Sequence, residues 1–278
     1  MTPLKGLAYS SPMAKYFFAG KSVWITGASS GLGRALALEL GASGARLILS
    51  GRDEAELASA ARDSGGAARL LPFDLEDEAA CENAAACALG IFGGLDFVIL
   101  NAGISQRSIF ANTSKEVFKK IMRTNFDSSV EITRAVLPPM IRRGSGSIVC
   151  VSSLAGLMGA PLRSAYSASK HALAGFFSSL RTETGKSGVT IHIVYPGFVN
   201  TMISRNAFEG DGSRHGALDR LQENGLAPSL AARRILKSLA KGKPDIRVAM
   251  DAKARLALFL SRHAPSPAAK ALSRQAGL

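Results

Sequence analysis

The sequence predicts a doubly wound α/β fold, in which helices cover both faces of a parallel, Rossmann-type sheet. Three observations lead to this prediction. Strand-like and helix-like segments alternate from Val23 to Val194. The strand segments are continuous apolar runs, which is typical of strands that are buried on both faces. A glycine-rich turn follows the first strand, where a sheet of this type binds a dinucleotide.

The first unit is a short buried strand at 23–25, a glycine-rich turn at 26–33 and a helix that begins at Arg34. Strands and helices then alternate, with strands predicted at 46–50, 68–73, 95–100, 147–151 and 189–194, and helices at 54–62, 78–91, 115–142 and 166–183.

Regular patterning lapses after Gly197, and we interpret residues 200–227, which contain four glycines, as a mobile substrate lid. A helix at 229–240, a strand at 246–250 and a last helix beginning near Lys253 follow. The predicted organisation is an N-terminal extension (1–20), one Rossmann-type domain (21–250) that includes a lid near 198–227, and a basic C-terminal helical segment (251–278).

The net charge of +13 is concentrated at the two ends of the chain. Residues 1–27 carry three Lys and no acidic residue, and residues 228–278 carry eleven Lys or Arg against Asp245 and Asp251. The body between them is almost neutral. The basic C-terminal end, which carries most of the excess charge, lacks interleaved aromatic residues, since Phe259 is the only aromatic residue after Phe208. The pattern therefore argues against a nucleic-acid partner.

The three cysteines, Cys81, Cys87 and Cys150, lie in apolar segments without paired or metal-binding spacing. We expect them to be reduced, buried and inert, and we expect no metal site. No apolar run is long enough for a signal peptide or a membrane span. These features predict a cytoplasmic protein, with peripheral contact at a membrane surface as the alternative.

Tyr166 and Lys170 are four residues apart, so on a helix they share one face. Tyrosine has an ordinary pKa of about 10, and a nearby fixed positive charge favours the phenolate. Such a pair can exchange a proton with an alcohol or a ketone. The spacing alone is weak evidence, because it also occurs on solvated helix faces.

Gly27, Gly31 and Gly33 allow the backbone to turn tightly and to approach a pyrophosphate at a helix N-terminus. The second strand ends without the carboxylate that commonly binds the ribose of NAD. Arg52, together with Ser50, could pair with a 2′-phosphate, which favours NADP(H) over NAD(H). If Arg52 is only a solvated loop residue, the preference stays open.

A set of motifs follows in a fixed order: Thr26-Gly27-x-x-x-Gly31-x-Gly33, Asp74-Leu75, Asn101-Ala102-Gly103, Asn125, Ser153, Tyr166-x-x-x-Lys170 and Pro196-Gly197. Over about residues 21–201 this set resembles the short-chain dehydrogenase/reductase family. The lid stretch at 204–214 resembles one branch of that family more narrowly.

The resemblance implies four catalytic residues. Tyr166 would be the general acid for ketone reduction and the base for alcohol oxidation. Lys170 would support Tyr166 and bind the nicotinamide ribose, Ser153 would hydrogen-bond the developing alkoxide, and Asn125 would help to hold a water chain that leads to Lys170.

The predicted cofactor site combines the glycine turn and Arg52 with positions that the resemblance implies. Its residues are Gly27, Ser29, Ser30, Gly31, Leu32, Gly33, Ser50, Arg52, Asp74, Leu75, Asn101, Ala102, Gly103, Tyr166, Lys170, Pro196, Gly197, Val199 and Thr201.

The walls of a substrate pocket are expected from segments 104–110, 154–162 and 198–208, which follow the strand ends near the nicotinamide. They are mainly apolar, apart from Arg107 and Arg163, and therefore predict a small hydrophobic carbonyl substrate, unless they only pack the lid onto the core. The predicted pocket residues are Ser153, Leu154, Met158, Tyr166, Phe198 and Met202, with Leu157 and Ile203 as further apolar candidates.

In the C-terminal segment, Leu256, Phe259 and Leu260 form an apolar stripe beside basic residues. The stripe could close the core, make a subunit contact, or lie weakly on an anionic membrane, and we favour the first two. The resemblance also implies a homodimer or homotetramer built on the helices around Asn125 and Tyr166.

The function predicted from the sequence is NADPH-dependent reduction of a hydrophobic ketone or aldehyde, reversible as secondary-alcohol oxidation. The alternatives are an NAD-linked alcohol dehydrogenase and a regulator that senses the cofactor without turning it over.

Overall fold

A computed structural model describes residues 16–65 and 68–278, so most of the predicted N-terminal extension lies outside the described residues. One sheet of seven parallel strands has the order β3-β2-β1-β4-β5-β6-β7, with helices on both faces, and the predicted fold class is confirmed. The strands are β1 (Ser22–Thr26), β2 (Arg46–Ser50), β3 (Ala68–Leu70), β4 (Phe97–Leu100), β5 (Gly146–Val151), β6 (Val189–Pro196) and β7 (Asp245–Val248).

The main helices follow the predicted alternation with the strands. They are α1 (Gly31–Ala42), α2 (Glu54–Asp63), α3 (Glu78–Ile91), α4 (Lys115–Met122), α5 (Ser128–Arg143), α6 (Ser164–Glu183), α7 (Arg220–Glu223), α8 (Pro228–Leu239), α9 (Ala252–His263) and α10 (Pro265–Ala276).

Two predicted helical regions are each divided into two helices in the structure. The helical region predicted at 115–142 is interrupted by a π-helical turn at Arg123–Asp127, which separates α4 from α5. The single last helix predicted near Lys253 is two helices, because Pro265 has no N–H to continue α9 and disfavours a helical Ala264. Ala264 accordingly has φ −143° and ψ 65°.

Buried apolar side chains form a cluster on each face of the sheet. On one face Leu36 and Leu40 of α1 pack with Ile235 of α8. On the other face Trp24 packs in one cluster with Phe177 of α6. Because the strands are parallel, the carboxyl ends of β1, β4, β5 and β6 lie side by side at one end of the sheet. The two apolar clusters hold the helices against the faces of this sheet.

The segment after β6 has little regular structure, as predicted, but it is tied to the body by backbone hydrogen bonds. Phe208 N–H donates to the Ser105 carbonyl at 2.8 Å, and Asn200 N–H donates to the Leu226 carbonyl at 3.0 Å. The predicted lid is therefore anchored both at its middle and across its two ends.

The cysteine prediction is partly wrong. Cys81 and Cys150 are free and buried, and burial raises the pKa of each thiol to about 12. Cys87 is also free but exposed, because it lies on the solvent side of α3, away from Cys81, Ala84 and Ala88.

In the part of the chain that the structure describes, no helix combines the length and the apolar character needed to cross a membrane.

Candidate active site

Helix α6 carries Tyr166 and Lys170 into the interior, where they are 8% and 3% exposed. The Lys170 ammonium donates to the Val151 carbonyl at 2.9 Å, and its nitrogen lies 5.8 Å from the centre of the Tyr166 ring. Within residues 16–65 and 68–278, no carboxylate pairs with Lys170. Its ammonium therefore keeps donor capacity for a group that enters from the cavity.

Ser153 and Ser152 follow β5 and have different roles. The Ser153 hydroxyl accepts from Ala155 N–H at 3.1 Å, which leaves its own proton free to donate. The Ser152 hydroxyl donates to the Lys170 carbonyl at 2.8 Å, so it ties the end of β5 to α6. Of the two hydroxyls, only that of Ser153 is unengaged as a donor.

Asn125 lies in the π-helical turn and is fully buried. Its amide nitrogen donates to the Ile104 carbonyl at 3.0 Å and to the Ser169 hydroxyl at 2.9 Å, while its oxygen accepts from Ile104 N–H at 2.8 Å. Ser169 in turn donates to the Tyr166 carbonyl. Asn125 thus joins the loop after β4 to α6 without lining the cavity, and its role in a water chain stays a prediction.

The glycine-rich turn is built on close backbone approaches. Gly27 has φ +67°, and a Cβ there would lie 2.8 Å from the Ala102 Cα. A Cβ on Gly33 would lie 2.1 Å from the Gly27 carbonyl oxygen. Gly33 was predicted to bind the cofactor, but it does not line the cavity; it packs α1 against the back of the turn.

Asn101, at the end of β4, holds this turn in place. Its amide donates to the Thr26 and Gly27 carbonyls at 3.1 and 3.2 Å. The Thr26 hydroxyl accepts from the backbone N–H groups of Asn101 and Ala102. The shape of the turn therefore depends on two strands that are neighbours only in the folded sheet.

A single cavity of about 1100 Å³ runs along this edge of the sheet. Every predicted cofactor residue except Gly33 lines it, and so do all six predicted substrate-pocket residues. Residues that the sequence reasoning missed also line it: Thr124 of the π-helical turn, Asp219 and Gln222 of the lid, and Lys253, Ala254, Ala257, Leu272, Gln275 and Ala276 of the two C-terminal helices.

The cavity fits a nicotinamide dinucleotide. The turn offers backbone groups that no Cβ obstructs, at the start of α1. Thr124 lines the cavity, and its buried hydroxyl has no hydrogen-bond partner among the described residues. Among those residues, no group of three His, Cys, Asp or Glu side chains could hold a metal ion.

Arg52 and Ser50, predicted to act together, have different environments. The Arg52 side chain is 54% exposed and lies 4.0 Å from Asp74 and 3.7 Å from Glu76. Ser50 is buried, and its hydroxyl accepts from the Trp24 indole at 2.9 Å. Arg52 is thus the cation at the rim, whereas the Ser50 hydroxyl is engaged with the core.

The outer wall of the cavity includes an ion-pair cluster. Asp219 accepts from Arg107 at 2.6 Å and also from Arg163, and the Asp219 backbone N–H donates to Ser204. Arg163 also donates to Ser105 at 2.7 Å. The carboxylate of one lid residue therefore joins the lid to the loop after β4 and to the start of α6.

Two expectations about apolar residues on this side are wrong. Leu157 packs against the hydrophobic core and does not line the cavity. The C-terminal stripe does not close the core, because Leu256 and Phe259 are 57% and 58% exposed. The opposite face of the same helices contributes Ala257 and Leu272 to the cavity wall.

Comparison with known proteins gives consistent matches. The profile described as short chain dehydrogenase matches residues 21–212. Dehydrogenase/reductase SDR family member 7B of Bos taurus is 42% identical over 252 residues, which cover 87% of this chain and 77% of the relative. Dehydrogenase/reductase SDR family protein 7-like of Drosophila melanogaster is 39% identical, over 89% of this chain and 78% of the relative.

Solved structures agree with the sequence matches. A short chain dehydrogenase/reductase from Burkholderia phymatum in complex with NAD has a TM-score of 0.78 at 25% identity, over 89% of this chain and 96% of that chain. A metagenomic short-chain oxidoreductase in complex with NADP has a TM-score of 0.69 at 27% identity, over 84% of this chain and 98% of that chain.

Proposed function

The chain belongs to the short chain dehydrogenase family and is an NAD(P)-dependent oxidoreductase, and we propose that it reduces a hydrophobic ketone or aldehyde with NADPH. The same site would oxidise the corresponding secondary alcohol. The family resemblance of the motifs is confirmed, including the branch of member 7B that the lid stretch resembles. The observation that carries the proposal is the convergence of Tyr166, Lys170 and Ser153 on one largely apolar cavity.

A nicotinamide cofactor, when bound, supplies or accepts the hydride. The chain's own residues handle the proton. Tyr166 lines the cavity, and its hydroxyl would donate its proton to the substrate oxygen during reduction, or take it back during oxidation. The charged Lys170 on the same helix face stabilises the negative charge that this transfer leaves on Tyr166.

Ser153 would donate its free hydroxyl proton to the substrate oxygen as charge develops there. Ser152 and Asn125 position the helix: they tie α6 to the end of β5 and to the loop after β4, and Asn125 would also help to hold the water chain that leads to Lys170. Because both are buried, they hold Tyr166 and Lys170 in one arrangement before substrate binds.

The substrate side of the cavity supports a hydrophobic carbonyl compound. Leu154, Met158, Phe198 and Met202 line it. Arg107 and Arg163 also line it, and both pair with Asp219, which compensates one of their two positive charges. A wall of this kind stabilises an apolar substituent more than a charged one.

Arg52 supports NADPH as the cofactor, because it is the only basic side chain lining the cavity near the end of β2 in the described chain. A guanidinium binds a phosphate through two parallel hydrogen bonds. The second candidate is an NAD-linked alcohol dehydrogenase. The proximity of Arg52 to Asp74 and Glu76 favours it, since those carboxylates compensate the charge that would attract a 2′-phosphate.

The test measures oxidation of the reduced cofactor as the loss of its nicotinamide absorbance. The substrates are a panel of ketones and aldehydes that range from small and polar to large and apolar. We expect faster turnover of the apolar members and a higher kcat/KM with NADPH than with NADH. Faster turnover of small polar ketones would contradict the substrate class, and a preference for NADH would favour the second candidate. Cofactor binding without turnover of any carbonyl or alcohol would indicate a cofactor-sensing regulator.

A further inference from the structure

Helices α9 and α10, here called the C-terminal hairpin, form a layer over the cavity. The two helices contact each other, and Ala254, Leu258 and Ala268 are their buried residues. Ala257 and Leu272 are among the hairpin residues that line the cavity. The hairpin therefore has an inner face that belongs to the site and an outer face that does not.

The outer face carries two large apolar side chains. Leu256 and Phe259 are three residues apart on α9, so they lie on the same side of the helix, and each is more than half exposed. The Phe259 ring packs beside that of His263 on the same helix, with the two ring centroids 4.5 Å apart. Adjacent exposed apolar side chains of this size are typical of a surface that meets a partner.

The hairpin is also uniformly basic. Residues 252–278 contain no Asp or Glu. Its basic side chains are Lys253, Arg255, Arg262, Lys270 and Arg274, and within the described part of the chain none of them forms an ion pair. Asp251, the nearest acid, is used as the N-cap of α9, where it accepts from Ala254 N–H at 2.7 Å. Lys253 lines the cavity, so four positive charges without an ion-pair partner are left outside it.

The combination of positive charge and exposed apolar side chains on the outer face favours one kind of binding partner over the others. A second copy of the chain would bring two faces of like charge together, which is repulsive. A nucleic acid would compensate the charges but would leave Leu256 and Phe259 without an apolar contact. An anionic bilayer suits both features of this face. Its headgroups attract the basic side chains, and its acyl boundary buries the apolar ones.

We propose that the C-terminal hairpin docks on an anionic lipid surface, with Leu256 and Phe259 inserted at the acyl boundary and the basic side chains that lie outside the cavity at the headgroups, namely Arg255, Arg262, Lys270 and Arg274. A helix of this length lies in the interface and does not span the bilayer. Because the inner face of the hairpin lines the cavity, docking places the cavity wall beside the lipid. An apolar carbonyl substrate could then enter from the bilayer; this last step rests on the proposed function, whereas docking does not.

The test is co-sedimentation of the full chain with phosphatidylcholine vesicles and with phosphatidylcholine vesicles that contain phosphatidylglycerol, at low and at high salt. We expect binding to the anionic vesicles only, and release by salt. Arg255→Gln with Arg262→Gln should weaken binding about 25-fold, since each basic residue near an anionic surface contributes about fivefold. Leu256→Ser with Phe259→Ser should weaken binding at low salt as well.

The matched control is Leu230→Ser with Lys237→Gln on α8, which also removes an exposed apolar side chain and one exposed charge from the basic end of the chain. It should bind like the unsubstituted protein. All variants keep residues 1–15, so any binding through that part of the chain is common to them.

Several outcomes would overturn the proposal. They are equal binding to neutral and anionic vesicles, no binding at all, or binding that the hairpin substitutions leave unchanged. Self-association that the Leu256/Phe259 variant abolishes would assign the face to a second copy. Tighter binding to an oligonucleotide than to vesicles, lost in the Arg255/Arg262 variant, would assign it to nucleic acid. Because the readout is binding, none of these outcomes depends on turnover.

Discussion

The two sides of the cavity are built in different ways. The cofactor side consists of strand ends and the glycine turn, where backbone meets backbone: a Cβ on Gly27 or Gly33 would lie within 3 Å of main-chain atoms. The outer side consists of the lid and the C-terminal hairpin, and the side-chain cluster around Asp219 adds to the backbone hydrogen bonds that link the lid to the body. Side chains of the lid and the hairpin can be substituted without moving the sheet. We therefore infer that substitutions on the outer side can change the substrate preference while the cofactor site stays the same.

The largest effect is expected at the point where the two sides meet. Tyr166→Phe should lower kcat by about 10²- to 10⁴-fold, because the proton donor is lost. Cofactor affinity, measured by fluorescence titration, should change little. Tyr195→Phe is the matched control, since this buried tyrosine does not line the cavity and its variant should keep turnover. Turnover of the Tyr166 variant at the unsubstituted rate would refute the assigned role.

On the cofactor side, Gly33→Ala should be destabilising, because its Cβ would lie 2.1 Å from the Gly27 carbonyl oxygen and the turn would have to move. We expect a loss of about 1–3 kcal/mol in the free energy of unfolding, typical of overpacking, together with weaker cofactor binding. Urea denaturation and cofactor titration measure the two effects. Gly90→Ala is the control, since nothing lies within 4 Å of its added Cβ. If the two variants had the same free energy of unfolding and the same cofactor affinity, the glycine turn would not require a glycine at position 33.

At the rim of the cofactor side, Arg52→Ala should reduce kcat/KM with NADPH about tenfold while that with NADH changes little, because an exposed guanidinium pair with phosphate contributes modestly. Initial rates with each cofactor measure the ratio. Arg62→Ala, at the exposed end of α2, is the control and should leave the ratio unchanged. Equal losses with NADPH and NADH would show that Arg52 does not read the 2′-phosphate.

The smallest effect is expected on the outer side. Asp219→Asn leaves Arg107 and Arg163 without their carboxylate, so the lid should be held less firmly. We expect the KM of the carbonyl substrate to rise a few fold, about 1 kcal/mol, with kcat nearly unchanged and faster proteolysis within residues 211–222. Asp211→Asn, whose carboxylate accepts only from Ser213 within the lid, is the control. If kcat falls as steeply as in the Tyr166 variant, the two sides are not separable as described.

The parts of the fold that the sequence predicts best are those that depend on local patterning. Strand β2 and helix α3 have the predicted boundaries, since a buried apolar run and a capped Ala-rich segment specify them locally. Some misses had visible signals. Pro265 marks the break between α9 and α10, and the helical period separates Cys87 from the apolar face that holds Cys81.

Other features have no local signal. Thr124 lies in the π-helical turn and lines the cavity, and its hydroxyl is buried without a partner among the described residues. Asp219 meets Arg163 and Arg107 across 56 and 112 positions of the chain. Nothing in the short stretches around these residues predicts such contacts, because they arise from the path of the lid over the sheet.

The sequence by itself determined the sheet, the glycine turn, the pairing of Tyr166 with Lys170 and the family, because each depends on spacing within a single element or on the order of elements. Only the tertiary structure decided that Gly33 packs behind the turn, that Asp219 joins the lid to α6, and that the C-terminal hairpin turns Ala257 to the cavity and Phe259 to solvent. The physical reason is that burial and ion pairing between distant segments depend on how whole elements are placed against one another.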